Sequence, residues 1–145
     1  MPAQYKRSGF SFLYPENWVV EEEETIPGRQ AVTVYSPGGG FWSLAVYQSA
    51  MDPLKMANAA VDAMKEEYKD LEVEATSETL AGCEMHGFDL NFFLFDFINT
   101  AQIRGFRHNR STYTILCQAE DSEFVQTQKV FQAMTTSLIQ AIEKL

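Results

Sequence analysis

Hydrophobic and polar residues alternate in short runs along the first third of the chain, and this period of two is typical of β-strands. The first run begins at Phe10 and ends at Tyr14, where the turn Pro15-Glu16-Asn17 follows. Trp18 opens a second strand, and two more follow in the segments RQAVTVYSP and FWSLAVYQS, which Pro37-Gly38-Gly39-Gly40 joins. These features predict a meander of antiparallel hairpins.

The period changes at Asp52-Pro53, because Asp is favoured at a helix N-cap and Pro suits the first helical position. Apolar residues then recur at spacings of three and four in a single stripe, formed by Leu54, Ala57, Ala60 or Val61, Met64 and Tyr68. The sequence therefore predicts a helix that ends near Lys69, with one buried face and one face in water.

Four more segments have the composition of strands: LEVEATSETL, CEMHGFDLNFFLFDFI, TAQIRGFRHN and STYTILCQAE. From about Asp121 the helical spacing returns and predicts a second helix of about 22 residues that ends the chain. Strands grouped around one helix, with another helix at the end, indicate an α+β fold with a twisted, mainly antiparallel sheet. No linker or repeat marks a domain boundary.

The segment from Phe92 to Ile98 is apolar at both odd and even positions. Successive side chains of a strand point to opposite faces, so neither face of this strand is expected to lie in water. We therefore expect helices on opposite faces of the sheet. The alternative is an apolar sheet face left open for a partner.

Composition narrows the class of protein. With 145 residues and 46% hydrophobic content, the chain has the size and composition of one packed domain. Its formal charge of −9 argues against nucleic acid and anionic membrane surfaces as partners, because both attract a surplus of Lys and Arg. The sequence shows neither a secretory signal nor a membrane-spanning run, so we expect a cytoplasmic protein if Met1 is the natural start.

No group of residues indicates catalysis, a metal or a cofactor. Cys83 and His86 are three positions apart and face opposite sides of a strand, so neither a zinc site nor a Cys-His nucleophile is expected. The run Glu21–Glu24 lacks the loop of a calcium site, and the glycines at 38–40 lack the Lys and helix start of a phosphate-binding loop.

The two cysteines are predicted to be free thiols. If Cys117 lies level with Gln102 and near Phe93, Cys83 is roughly 30 Å away along the sheet. A pair at that separation cannot form a disulfide.

Two groups of residues are candidates for contact with a partner. The first group is aromatic: it comprises Phe41 and Trp42 beside the glycine-rich loop and Phe93, Phe95 and Phe97 in the long strand. The second group is the basic cluster of this acidic protein: Arg104, Arg107 and Arg110. For the arginines, pairing across the sheet with Asp89, Asp96 or Glu84 is the structural alternative. For Trp42, and for Trp18 beside the first turn, the alternative is a place in the core.

The stretch Gly-Phe-Ser-Phe-x-Tyr-Pro-x-x-Trp, residues 9–18, resembles the entry strand of the PsbP-like superfamily. That superfamily includes the PsbP subunit of photosystem II, a yeast Ran-binding nuclear import factor and bacterial domains of unknown function. The order of elements, the Asp-Pro helix start, Leu80-Ala81-Gly82 and the end of the last helix extend the resemblance over most of the chain. It implies one domain over residues 1–145, built as an α/β/α sandwich.

The resemblance implies little about activity, because its members bind different partners. Together with the absence of catalytic residues, it favours a non-catalytic protein-binding or adaptor domain. A chaperone for apolar segments of type VI secretion effectors, as some bacterial relatives resemble, is a narrower alternative. A small-ligand-binding protein and a subunit of a homodimer or other assembly are the remaining classes.

Overall fold

The computed structural model describes residues 2–143. Within them the chain forms nine strands and two helices, with the bounds β1 (Pro2–Arg7), β2 (Phe10–Pro15), β3 (Val19–Glu22), β4 (Arg29–Tyr35), β5 (Phe41–Tyr47), α1 (Pro53–Glu67), β6 (Glu72–Leu80), β7 (Cys83–Leu94), β8 (Phe97–His108), β9 (Ser111–Glu120) and α2 (Asp121–Glu143). The prediction that the second helix reaches the end of the chain concerns residues 144 and 145 and lies outside the described residues. Neither described helix is long and apolar enough to cross a membrane.

Seven strands form one antiparallel sheet in the order β3-β4-β5-β9-β8-β7-β6, and β1 and β2 form a separate hairpin. The strands β3 and β6 are therefore the two edges of the large sheet. This arrangement confirms the predicted α+β class with a mainly antiparallel sheet and two main helices.

Helix α1 begins as the sequence predicts. The carboxylate of Asp52 accepts a hydrogen bond of 3.0 Å from the backbone N–H of Leu54, and Pro53 occupies the first helical position. The apolar stripe of α1 packs on β7, β8 and β9 through Ala57, Val61 and Met64, which are buried against Leu90 and Ile103.

Helix α2 and the β1–β2 hairpin cover the opposite face. Phe12 packs its ring 4.7 Å from that of Trp42, and Trp18 meets Phe131 of α2 edge to face at 5.7 Å. Trp42 also donates a hydrogen bond of 3.0 Å from Nε1 to Oγ1 of Thr135 on α2. Alternate residues of the same strands thus contribute to two hydrophobic cores on opposite faces of the sheet. The prediction of helices on both faces is confirmed.

The cover on the two faces is unequal. Helix α1 contacts β7, β8 and β9, so the same face of the sheet is mostly half-buried on β4 and β5 and exposed on β3. On this surface the rings of Tyr35 and Phe41 lie 5.9 Å apart, and Thr33 and Ser43 share a hydrogen bond of 3.0 Å. Helices therefore cover both faces of the sheet at β7, β8 and β9, whereas this face of β3, β4 and β5 has no helix over it.

Candidate functional site

The most exposed apolar surface is the turn between β7 and β8. We define the apolar tip as the four residues Phe93, Phe95, Phe97 and Ile98, whose exposed fractions are 63%, 86%, 57% and 48%. Leu90 and Phe92, in the same strand, are buried at 0% and 2%. The expectation that helices cover the whole segment from Phe92 to Ile98 is therefore corrected at its outer end.

The reach of the two helices explains where the cover stops. On one face the ring of Tyr68, just after α1, packs 4.3 Å from the ring of Phe92. On the other face Asp121, the first residue of α2, accepts a hydrogen bond of 2.6 Å from Thr100. The C-terminal end of α1 lies level with Phe92, and the N-terminal end of α2 lies level with Thr100. The four residues of the apolar tip extend past both helix ends, whereas Leu94 still packs against the core under α1.

The turn itself is held in a conformation that disfavours Phe95, one of its two central residues. Phe95 and Asp96 have φ angles of 50° and 66° and connect the paired residues Leu94 and Phe97. Two consecutive residues with positive φ define a type I′ hairpin turn, for which Asn-Gly is the favoured pair. A side chain such as Phe costs roughly 1–2 kcal/mol in this left-handed region.

Arg104 lies in the interior and serves the fold. It is 6% exposed, and it bonds Glu78 through Nε at 2.8 Å and Asp89 through Nη2 at 2.7 Å. Its Nη1 also donates to the backbone oxygens of Phe88 and Ile103, each at 3.1 Å. The prediction that Arg104 contacts a partner is corrected, because its guanidinium is buried and already paired.

Of the pairings predicted for the basic cluster, the one with Asp89 is confirmed. Oε1 of Glu84 instead lies 3.4 Å from Nε2 of His86, and Asp96 lies in the turn between β7 and β8. Arg107 and Arg110 are exposed, and neither forms an ion pair within residues 2–143.

The aromatic candidates beside the glycine-rich loop divide in the same way. Trp42 is fully buried and hydrogen-bonded to Thr135, so its prediction as a partner contact is corrected. Phe41, one position earlier, points to the opposite face of β5 and is half-buried on the partly open half of the sheet. The alternation of a strand decides between the two rings.

The glycine-rich loop holds a carboxylate of the same chain. Glu123, in the first turn of α2, accepts hydrogen bonds from the hydroxyl of Ser36 and from the backbone N–H of Gly40, the latter at 3.4 Å. A Cβ atom at Gly38 would lie 2.8 Å from that carboxylate, so a larger residue at position 38 would displace the Glu123 side chain. The Glu123 carboxylate thus fixes the glycine-rich loop to the first turn of α2.

A second apolar surface lies beside the motif at residues 9–18. The β2–α2 groove is an open cavity of about 660 Å³ between the end of β2 and one side of α2. The residues that line it include Leu13, Tyr14, Pro15, Lys129, Val130 and Ala133. Sequence reasoning missed this groove, because it depends on how α2 packs against β2; the exposed Leu13 within an aromatic strand was its one local signal.

The thiols and the acidic residues do not assemble into a reactive group. Burial raises the pKa of Cys83 and Cys117, so both thiols are protonated at neutral pH and are poor nucleophiles. Within residues 2–143, no three His, Cys, Asp or Glu side chains are grouped closely enough to hold a metal ion.

The free state of both cysteines is confirmed, although the predicted register was wrong in part. Cys117 does pair with Gln102, but Gln102 lies opposite Asp89 and not near Phe93. Cys83 is six residues from Asp89 along β7, so the two thiols are about 20 Å apart along the sheet, less than predicted. That distance still prevents a disulfide.

Comparison with solved structures supports the fold that the resemblance implied. The cyanobacterial PsbP protein of Synechocystis superposes with a TM-score of 0.63 at 14% identity, over 94% of this chain and 90% of that one. A protein of Bacteroides thetaiotaomicron gives 0.64 at 13% identity, over 93% of this chain and 47% of that one, so this chain spans about half its length. The chain therefore has a PsbP-like fold. No protein-family model and no curated protein matches it.

Proposed function

We propose that this chain is a non-catalytic protein-binding domain that holds its partner through the apolar tip. The observation that carries the proposal is Phe95, whose side chain is 86% exposed at a backbone position where φ is 50°. A turn needed only to close the hairpin would gain stability from Asn-Gly. Strain that is retained together with exposed apolar surface is typical of a residue kept for binding.

The size of the tip supports a protein partner. A buried aromatic side chain removes about 150–250 Å² of surface from water, so the three rings of Phe93, Phe95 and Phe97 provide the apolar centre of a small interface. Binding energy in such interfaces is concentrated in a few well-packed aromatic residues. An interface built around one hairpin turn has the size of a transient complex.

The chemistry of the described residues supports a role without catalysis. The thiols of Cys83 and Cys117 have raised pKa values, and the buried guanidinium of Arg104 is occupied by two carboxylates. A catalytic site needs a nucleophile or an acid–base pair in a cleft. The β2–α2 groove is lined mainly by apolar side chains.

A small-ligand-binding role is the second candidate, and the volume of that groove favours it. Ligand pockets measure about 300–1,000 Å³, and 660 Å³ lies within this range. Such pockets enclose most of the ligand, however, whereas Leu13 and Ala133 leave this groove open to solvent.

The test compares partner capture by matched variants in a lysate of the native host. The tip variant combines Phe95→Asn with Asp96→Gly, which removes the exposed ring and supplies the residues that the turn favours. The control variant is Val125→Ser, which removes an apolar side chain that is 80% exposed on α2, outside the tip. Cross-linking followed by mass spectrometry identifies what each variant retains.

We expect one dominant protein to be retained by the original chain and by the control, and to be lost from the tip variant. The captured protein should then bind the purified tip variant at least about tenfold more weakly than it binds the purified original chain, as expected when a central aromatic contact is removed. Retention of the same proteins by the tip variant, or capture of none by the original chain, would overturn the proposal.

A further inference from the structure

The two apolar surfaces of this chain differ in shape. The rings of the apolar tip are exposed beyond the ends of both helices, and Phe95 and Phe97 also form one wall of a small cavity beside Gly38 and Gly39. The β2–α2 groove is concave and open, with Leu13 exposed on one wall and Ala133 on the other. An open apolar groove suits an aromatic group that projects from another protein better than it suits a small molecule, which a pocket would enclose.

Each surface also carries one charged group that the other surface can pair with. Asp96 lies at the centre of the turn, directly beside Phe95, and is exposed. Lys129 and Glu16 both line the groove, and Lys129 has no ion-pair partner within residues 2–143. A pair between Asp96 and Lys129 would set the orientation of the contact, since the opposite orientation would bring Asp96 towards Glu16.

We propose that the apolar tip of one molecule inserts into the β2–α2 groove of a second copy of this chain, with Asp96 placed against Lys129. The inference rests on the proposed function, since it names the partner that the tip holds. It accounts for both apolar surfaces with one contact. It also gives Phe95 a recess of about 660 Å³ in which to lie.

The geometry of such a contact determines the assembly. The tip and the groove are different surfaces, so the contact is heterologous, and it forms either a closed ring or an open chain of molecules. Each contact is small, and each copy carries a formal charge of −9, so we expect weak association in the micromolar range or above.

The experiment uses complementary variants of the full chain. One variant carries Phe95→Asn with Asp96→Gly and keeps its groove; the other carries Ala133→Glu, which places a bulky charge in the groove and keeps the tip. Val125→Glu is the matched control, because it adds the same charge to an exposed position on the same helix outside the groove. Circular dichroism melting checks that each variant folds.

Sedimentation velocity from about 10 μM to about 1 mM measures the association of each protein. We expect the original chain and the Val125→Glu control to associate, and each of the other two variants alone to dissociate at least about tenfold more readily. An equimolar mixture of those two variants should recover association but stop at pairs, because only one tip and one matching groove remain.

Charge reversal provides an independent measurement. Asp96→Lys alone and Lys129→Asp alone should each weaken association, whereas the two changes in one chain should restore it. Lack of rescue in the double variant would contradict the placement of Asp96 against Lys129.

Three results would overturn the inference. The original chain stays monomeric up to about 1 mM; or the complementary variants fail to associate when mixed although the original chain associates; or Ala133→Glu associates as readily as Val125→Glu. If the chain is monomeric but a different protein is still lost from the tip variant in the capture experiment, the tip binds another protein. In that case the proposed function stands and the second copy is rejected.

Discussion

The middle and the tip of the β7–β8 hairpin reverse the usual distribution of charge and hydrophobicity. In the middle, the guanidinium of Arg104 is buried, whereas at the tip Phe95 is the most exposed of the large apolar side chains within residues 2–143. A buried arginine is stable only when carboxylates and carbonyl oxygens surround it, and Arg104 has both. The phenylalanines are exposed because the covering helices end before them.

The difference shows which unusual residue calls for a functional explanation. The fold accounts for Arg104 completely, since each of its three nitrogens has a partner within the chain. Nothing in the fold accounts for Phe95, which adds strain to a turn and remains largely in solvent. The residue without a structural explanation is therefore the stronger candidate for binding.

The largest effect on stability is expected from Arg104→Met. The change leaves Glu78 and Asp89 without their cation, and removal of one partner from a buried ion pair costs about 3–5 kcal/mol. Because both carboxylates are partly exposed, we expect a loss near the lower value, about 3 kcal/mol, in urea unfolding. Arg107→Met, at an exposed position of the same strand, should change stability by less than about 0.5 kcal/mol. Equal losses in the two variants would show that the Arg104 pairs are not structural.

Alkaline pH should weaken the buried part of the molecule and leave the tip unaffected. Burial, and a hydrogen bond to Glu22, raise the pKa of Tyr5 to about 12 from its usual 10.0. The neutral phenol is thus favoured in the folded state, so its contribution is complete below pH 10 and is lost as the pH rises from about 10 to about 12. The loss approaches roughly 2–3 kcal/mol for this group.

The measurement is the free energy of unfolding against pH for the original chain and for Tyr5→Phe. The variant should show a smaller decline above about pH 10, although the raised pKa values of Tyr68 and Tyr113 leave part of it. The tip variant should follow the original chain. A decline as steep in Tyr5→Phe as in the original chain would refute the assignment to Tyr5.

The smallest change, with the opposite sign, is expected from the tip variant itself. Replacing Phe95 and Asp96 by Asn and Gly relieves the left-handed strain and should raise stability by about 1 kcal/mol. Phe93→Asn is the control, since this residue is exposed but lies in the strand and has no strain to relieve. Thermal unfolding that shows no gain for the tip variant over Phe93→Asn would remove the argument from strain.

The elements with strong local signals could be predicted from the sequence. The start of α1 depends on Asp52 and Pro53 alone, and the spacing of apolar residues identifies both helices. Strand β1 was missed, because only Tyr5 among its residues is buried and its pairing with β2 is what makes it a strand. Tertiary pairing decided this element, and sequence period did not.

The candidate site was predicted only in part. The aromatic run identified Phe93, Phe95 and Phe97, but the place of the turn was hidden because neither Asn nor Gly marks it. The burial of a strand residue depends on which face of the sheet its side chain lies on and on what covers that face. For this reason Trp42 is buried while Phe41 is half-buried, and Arg104 is buried in the interior. The groove depends on residues far apart in the chain, and Leu13 was its one local signal in the sequence.

The two edges of the large sheet, β3 and β6, both carry glutamates, at positions 21 and 22 and at positions 72 and 74. A neighbouring molecule that tried to extend the sheet would bring its own carboxylates against these rows, which opposes uncontrolled stacking into fibrils. The chain can therefore expose phenylalanine rings at one turn while the negative charges on its edge strands oppose pairing with other molecules.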